Sequence, residues 1–502
     1  MADVAFKFAG MNNIADPTSI DALNPKSAQY GQCVDICNCD IDNAHNAISR
    51  EGCTLAFTGN VSSCWTSSDG TTYCVYGGHL CTTNGITVTP LTLAFTVLST
   101  CEFEQVNDIV VFSDNVKIGT IDAGTVTRID APAEWVDAED LEQWVADNMP
   151  ADPAVGASNF EVDAFALATK AGKCLHHFGG VLYLAINNFV YATKTFNVAK
   201  MDIRYNVVAG FPDDVTMIKH VENGLYIGTT AACYFLAHTG VVVGEDGKYK
   251  AGFKQTQVAP YGVIYGTSLT VHAELIPEIR SKDLAVLWAS SVGIFAGVSG
   301  GTASNLSIDK VTLPDETTGT AIVKDYKLAD KTRLHQYVVC FPSSTWVLNL
   351  STLAHSRFTN YPYTSLFKHG EFYYGANTHG VVKFGGATDY VVGTGLTQQI
   401  DALVRTPATD FGSDKVKRVR LIHTRVRRDA ILAIDCTVDE IHSFVDGSIP
   451  RDGVLVAHTA RQKAPRGLKG VYWQFTLHNV RGGSFTVFNL EPVVDVSTTR
   501  TK

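Results

Sequence analysis

Several things this 502-residue sequence lacks narrow what it can be. It has no long apolar run. The most apolar stretch, 284–298, is broken by Ser290, Ser291, Gly293 and Gly297, too short and too polar to cross a bilayer as a helix. The opening "MADVAFKFAGMNN" has no basic start leading into an apolar segment, so no secretory leader is expected, and the chain is expected to fold in a reducing cytosol. No stable membrane insertion is expected. Proline is scarce, 16 against 42 glycines, and Val, Thr, Tyr and Phe are frequent, a balance that favours strands joined by glycine turns.

The usual catalytic and metal signatures are missing too. Twelve cysteines include no paired C-x2-C knuckles, so the cluster Cys33, Cys37, Cys39 and Cys53, with His45 nearby, supplies soft ligands without zinc-like spacing. Cys37 and Cys39, two apart, are expected on one face of a strand. Buried thiols are the expected state, with cross-links between sheets in a mature particle the alternative. Ser290-Ser291-Val292-Gly293 is not a Gly-x-Ser-x-Gly elbow, and "GVSGGTASN" (297–305) lacks the lysine of a phosphate-binding loop. "TSSDGTTY" (66–73) resembles the Asp-box turn of sialidases, itself structural, and no paired carboxylates accompany it. His176, His177 and His220 sit in strand patterns as packing or surface residues. No enzyme, cofactor or metal is expected.

What is present is a recurring hairpin. Seven windows, 62–83, 101–121, 173–193, 215–236, 283–301, 334–352 and 363–386, each put an apolar strand before a short Gly or Asn turn and an aromatic or Leu just after it. Tyr183, Tyr226 and Tyr373 are the clearest instances. This reads as the inner strands of propeller blades, with aromatics packed between them. The fold class is therefore all-β: a six- or seven-bladed β-propeller over 1–396, then a small antiparallel β-sandwich over 397–502. A helical insertion is expected at about 132–155, because Trp135, Leu141, Trp144 and Val145 share a face and Pro150 and Pro153 end the pattern. An extended hairpin is expected over about 239–282, turning at Asp246-Gly247.

Charge divides along the same boundary. Residues 405–502 carry 16 Lys and Arg against 10 Asp and Glu, which leaves −16 over 1–404 of the overall −10. Lys415, Lys417, Arg418, Arg420, Arg425, Arg427 and Arg428 alternate with Val416, Val419, Leu421, Ile422 and Val426. They form either a solvated strand face or a contact for an acidic neighbour, with a protein surface favoured over DNA because no aromatics interleave.

"FAGMNN" (8–13), "NCDIDNAHNAISREGC" (38–53) and "SSCW" (62–65) together resemble the opening of propeller-type tail proteins of tailed bacteriophages. Gly10, Met11 and Asn12, then Asn38, Asp40, Ile41, Arg50 and Gly52, occupy the positions of that pattern, and "LWASSVGIFAGVSGGTASNLS" (287–307) matches a second stretch of it. Where the pattern has a turn glycine this chain has His45-Asn46, and Asn46 is expected to take the positive φ. Arg50 is expected to tie the turn by hydrogen bonds. The resemblance implies a nozzle or hub of a short tail, assembled in the host bacterial cytoplasm and resident in the virion. It also implies a homo-hexamer contacting an adaptor or tube above and fibres or tip proteins beside it. DNA would pass through its channel without sequence-specific binding, and an acidic wall would keep phosphates from sticking. The alternative reading is a propeller-based minor tail protein at the tail tip that binds a receptor or glycan. A hydrolase is a weaker third.

Overall fold

The computed structural model describes all residues except 1–4, 130–165, 203–205, 244–248, 280, 328–332, 392, 440, 445–448, 450–456, 465–466 and 497–502. The expected helical insertion and the Asp246-Gly247 turn lie outside the described residues. Those described are all-β, with one short 3-10 turn at Ala273–Leu275.

Seven four-stranded antiparallel units follow one another along the chain, five as separate sheets and the last two within larger sheets. The seventh is extended beyond Cys53–Thr58 by Thr388–Val391 and Leu396–Gln399. Each hairpin window read from the sequence lies in one of these units. Sheet I runs from Val61–Thr66 to Val88–Pro90 and sheet II from Glu102–Val106 to Thr125–Arg128. Sheet III runs from Leu175–Phe178 to Val207–Gly210, sheet IV from Val215–Val221 to Tyr249–Ala259, and sheet V from Leu269–His272 to Thr302–Asn305. Sheet VI starts at Thr320–Lys327 and its fourth strand is His355–Phe358. Sheet VII has only three consecutive strands, Ser365–His369, Phe372–Asn377 and Gly380–Phe384. Its fourth, Cys53–Thr58, comes from the beginning of the chain and pairs antiparallel with Gly380–Phe384. The first strand of sheet I packs against the first strands of sheets II and VII, and sheets II to V are joined in the same manner.

The sequence pattern explains why neighbouring sheets adhere. The second strands of sheets IV and V, Gly224–Thr229 and Leu284–Ser290, are buried almost throughout, so both faces meet protein. Aromatics bridge the gaps. Tyr226 of sheet IV sits 5.8 Å from Trp288 of sheet V, and its hydroxyl donates to the Val298 carbonyl at 2.7 Å. Tyr183 of sheet III meets Phe253 of sheet IV edge-on, and the Tyr373 hydroxyl of sheet VII accepts the Asp325 N–H of sheet VI at 2.7 Å. A hydroxyl at the tip of a flat apolar ring lets these tyrosines fill an apolar gap and still reach backbone beyond it.

The carboxy-terminal strands build two further layers. One continues sheet VI through Asp35–Cys37, Leu403–Arg405, Trp473–Val480, Ile431–Val438 and Ile441–Phe444. The other orders Cys39–Ile41, Ala47–Ser49, Phe485–Val496, Lys417–Arg428 and His458–Lys463. Val419, Ile422 and Val426 of the second share one core with Leu432, Ile434 and Phe475 of the first. The amino-terminal fifty residues, assigned from sequence to the unit ending at 396, make most of their strand pairings with these layers. Phe6 bonds Leu490, Asp35–Cys37 pairs with Leu403–Arg405, and Ala47 and Ile48 pair with Val487 and Thr486. Strand ends left open after the seven sheets are covered in this way by whichever segment passes, irrespective of its place in the chain.

Buried histidines give this core a pH dependence. Burial, with Lys310 nearby, holds His355 down at about 3, and burial beside His176 holds His220 down at about 4. Both lie below the ordinary 6.5, so the unfolded chain takes up protons that the folded chain refuses. Their contribution is whole above pH 6.5 and is lost as the pH falls through 6.5 towards 3. Between pH 7 and pH 5, unfolding free energy from urea titration is expected to drop by about 1–2 kcal/mol on account of His355. A His355→Leu variant is expected to flatten that slope.

Candidate functional site

The signature residues converge although they are far apart in sequence. Asn38 takes φ 53, which ends the strand Asp35–Cys37 and starts Cys39–Ile41 in a different sheet. Cys37 and Cys39 therefore belong to two strands, against the expectation that they share a face of one. The Asn38 side chain donates to Thr359 Oγ1 and to the Asp401 carbonyl, both at 2.7 Å, and its Oδ1 accepts Arg50 Nε at 2.9 Å. Arg50 goes on to Asp389, with Nη1 donating to Oδ1 at 2.8 Å, and to the Thr359 carbonyl at 2.9 Å. Its guanidinium lies 5.3 Å from the Phe358 ring centroid and 5.1 Å from that of Tyr361. The side chains of Arg50 and Asp389 are 1% and 3% exposed, so the pair is a buried, bidentate one. Arg50 thus fastens its own segment to sheets VI and VII, a longer reach than the local turn expected of it.

The remaining signature residues serve the same junction. A Cβ on Gly52 would lie 2.1 Å from the Thr388 carbonyl oxygen, and one on Gly10 would lie 2.7 Å from the His355 nitrogen, so backbone passes too closely for any side chain. Met11 and Ile41 are buried, Asn12 caps the turn at Ile14 and Ala15, and Asp40 accepts from Gln336 at 2.8 Å. The positive φ of the turn falls on His45, at 61°, where Asn46 was expected; Asn46 instead bonds Asp42 through both its backbone and side-chain nitrogens.

The basic strand divides in two. Lys417 and Arg428, at its ends, are buried and engaged. Lys417 Nζ donates to the carbonyls of Ser413, Lys415 and Val471, and Arg428 Nη1 lies 2.6 Å from His458 Nε2. Lys415 precedes the strand. Arg418, Arg420, Arg425 and Arg427 face outward, and the bulge between Val419 and Leu421 leaves Arg420 unpaired in the ladder and exposed on this face. Arg420 pairs with Asp495, and Arg425 stands 5.5 Å over Phe488. The neighbouring edge strand adds Arg461 and Lys463, opposite His423 and Leu421. These two escaped sequence reading because only strand pairing brings them beside 418–427; the alternation of "HTARQK" was the available signal. Six cations thus share the face with Glu491 and Asp495, a net positive surface.

Ser290 is buried in sheet V, His176 Nε2 lies 2.6 Å from His220 Nδ1 between sheets III and IV, and the Ser67–Thr71 loop is a hairpin turn closed by Asp69. Among the described residues, no group of three or more His, Cys, Asp or Glu is placed to hold a metal. A cleft of about 420 Å³ opens between residues 18–24 and 407–412, where Asp21, Asp410 and Tyr472 are among the lining residues.

No protein-family model matches the chain, and no curated protein matches it in sequence. Among solved structures, the extracellular domain of a hybrid two-component system from B. thetaiotaomicron aligns over 66% of this chain and 39% of its own, at 10% identity and a TM-score of 0.40. PorZ, a surface component of the type-IX secretion system of Porphyromonas gingivalis, aligns over 70% and 44%, at 11% and 0.34. The N-terminal domain of Nup159 aligns over 70% and 98%, at 9% and 0.36. This chain spans less than half the length of the first two. Likeness at this level carries no argument about fold or function.

Proposed function

We propose that this chain is a structural protein of a bacteriophage tail, a seven-bladed β-propeller with an attached β-sandwich that forms a ring continuing the DNA channel. The fold part of the proposal rests on the closure of sheet VII by Cys53–Thr58, which joins the two ends of a series of seven sheets. The functional part rests on the signature residues from Gly10 to Gly52, which join the seven sheets to the carboxy-terminal layers. In the ring, most simply a homo-hexamer, the blades form the wall, retain packaged DNA and let it leave on ejection, with adaptor or tube proteins above and fibres or tip proteins beside.

The observation that carries the assembly is the outward basic face of Arg418, Arg420, Arg425, Arg427, Arg461 and Lys463 on a chain whose first 404 residues carry −16. A basic patch docks best on an acidic surface, and the acidic remainder of a neighbouring copy supplies one. An acidic channel wall, as expected from the −16 over the first 404 residues, would keep DNA phosphates from sticking during passage.

Light scattering behind a sizing column tests the reading, with a species near six times the 54.3 kDa protomer expected at moderate salt. Arg420→Glu with Arg425→Glu and Arg461→Glu is expected to weaken assembly at least about tenfold, since each like-charge juxtaposition costs several kcal/mol. A monomer at every concentration and salt would refute the ring. A monomer that also bound glycans, with Asp21, Asp410 and Tyr472 in the binding cleft, would establish the tail-tip receptor-binding reading in its place.

A further inference from the structure

Seven of the twelve cysteines precede residue 82, and sheet I gathers three of them on adjacent strands. Cys64 is on the first strand, Cys74 on the second and Cys81 on the third. Cys74 and Cys81 are directly opposed across the two-residue turn Gly77-Gly78. The turn-closing pair Tyr76–His79 is a hydrogen-bonded one, and pairs alternate along the ladder. Cys74–Cys81 is therefore also hydrogen-bonded, the wider kind in which side chains stand farther apart.

The other side of Cys74 is different. Ser62 opposes Val75 and Trp65 opposes Tyr73, so two residues, Ser63 and Cys64, face the single residue Cys74. Ser63 takes φ 50 at this bulge, which re-aims the following side chain. The bulge thereby sets Cys64 opposite Cys74, and Cys64 packs against the apolar cluster that contains Cys74 and Cys81. Cys64 is part-exposed, whereas Cys74 and Cys81 are buried.

We infer that Cys64 and Cys74 are an oxidisable dithiol that closes to a disulfide by exchange with a small-molecule disulfide such as oxidised glutathione. The Cys64 thiolate attacks one sulfur of that disulfide, forming a mixed disulfide and expelling one glutathione thiolate. The Cys74 thiolate then attacks Cys64 Sγ and expels the second. Two protein thiols lose two electrons and two protons, and one molecule of oxidised glutathione becomes two of the reduced form. The contact with Cys64, together with burial, holds the Cys74 thiol well above its usual range, so closure accelerates as the pH rises. The cross-link would staple the first strand of sheet I to the second where sheet VII abuts, since Ser365 Oγ accepts the Cys64 N–H at 2.8 Å and Phe367 and Tyr374 pack with Cys74 and Cys81. This inference is independent of the tail-ring reading.

The test incubates the full-length protein with oxidised glutathione at alkaline pH, alkylates in denaturant without reduction, and digests with chymotrypsin, which cuts after Trp65, Tyr73 and Tyr76 and so separates the three cysteines. The expected result is a loss of two of the twelve alkylatable thiols and a linked pair of peptides carrying Cys64 and Cys74. Cys81→Ser is expected to keep the link and Cys64→Ser to abolish it. Twelve free thiols, arrest at the Cys64–glutathione adduct, or a link between Cys74 and Cys81 would overturn the inference. Because the wild-type protein itself is mapped, the outcome does not depend on a variant folding.

Discussion

Arg50→Ala is expected to lower the unfolding free energy by about 3–5 kcal/mol, the range for breaking a buried ion pair on one side. The guanidinium joins Asn38, Thr359 and Asp389, and the carboxylate it leaves behind is only 3% exposed. Asp389 would then have to be protonated, take in solvent, or pull its strand away from Cys53–Thr58. Arg50→Lys is expected to recover only part of the loss, because an ammonium cannot bridge two carboxylate oxygens and the Thr359 carbonyl from one plane. Replacing Arg50 by methionine together with Asp389 by leucine is expected to cost much less than either change alone, since no unpaired charge remains. Urea unfolding monitored by circular dichroism measures all four proteins. A loss below about 1 kcal/mol for Arg50→Ala would mean that the junction is held by strand pairing alone.

Trp288→Ala is the second large effect, about 3–5 kcal/mol. The indole is fully buried between sheets IV and V, stacked 5.6 Å from Phe295 and 5.8 Å from Tyr226. Its removal leaves a cavity that two rigid strands cannot close, because the Tyr226 hydroxyl is held by the carbonyls of Val298 and Thr302. Among the described residues the indole nitrogen has no hydrogen-bond partner. Trp288→Phe therefore gives up volume and no hydrogen bond, and is expected to lose less than half as much. Equal losses in the two variants would show that the ring's area is not what holds the sheets together.

These effects separate what could be read locally from what could not. The seven hairpins were legible because alternation of apolar and polar residues, Gly and Asn turns, and an aromatic after the turn are all short-range signals. Tyr183, Tyr226 and Tyr373 could be recognised as packing between sheets for the same reason. The junction residues could be singled out as a group, yet their partners could not be named. Nothing near Arg50 points to Asp389, 339 positions away. The positive φ at His45 was misplaced by one residue because both His and Asn tolerate it, and the Asp42 carboxylate decides by bonding Asn46.

The basic stretch shows the same limit. Its charges are plain in the sequence, but a strand's alternation alone does not say that Lys417 and Arg428 turn inward at its ends or that Arg461 and Lys463 join the outward face. The sequence by itself determined that the chain is all-β, where most of its turns fall, and that its charge is divided between its ends. Only the tertiary structure decided that Cys53–Thr58 completes sheet VII and that the first fifty residues line up with the last hundred. The physical reason is that periodicity and turn chemistry act over a few residues, whereas every strand edge offers the same unpaired N–H and C=O groups. Which distant segment satisfies them is settled by side-chain packing on both faces, as at Gly52 against Thr388 and Arg50 against Asp389.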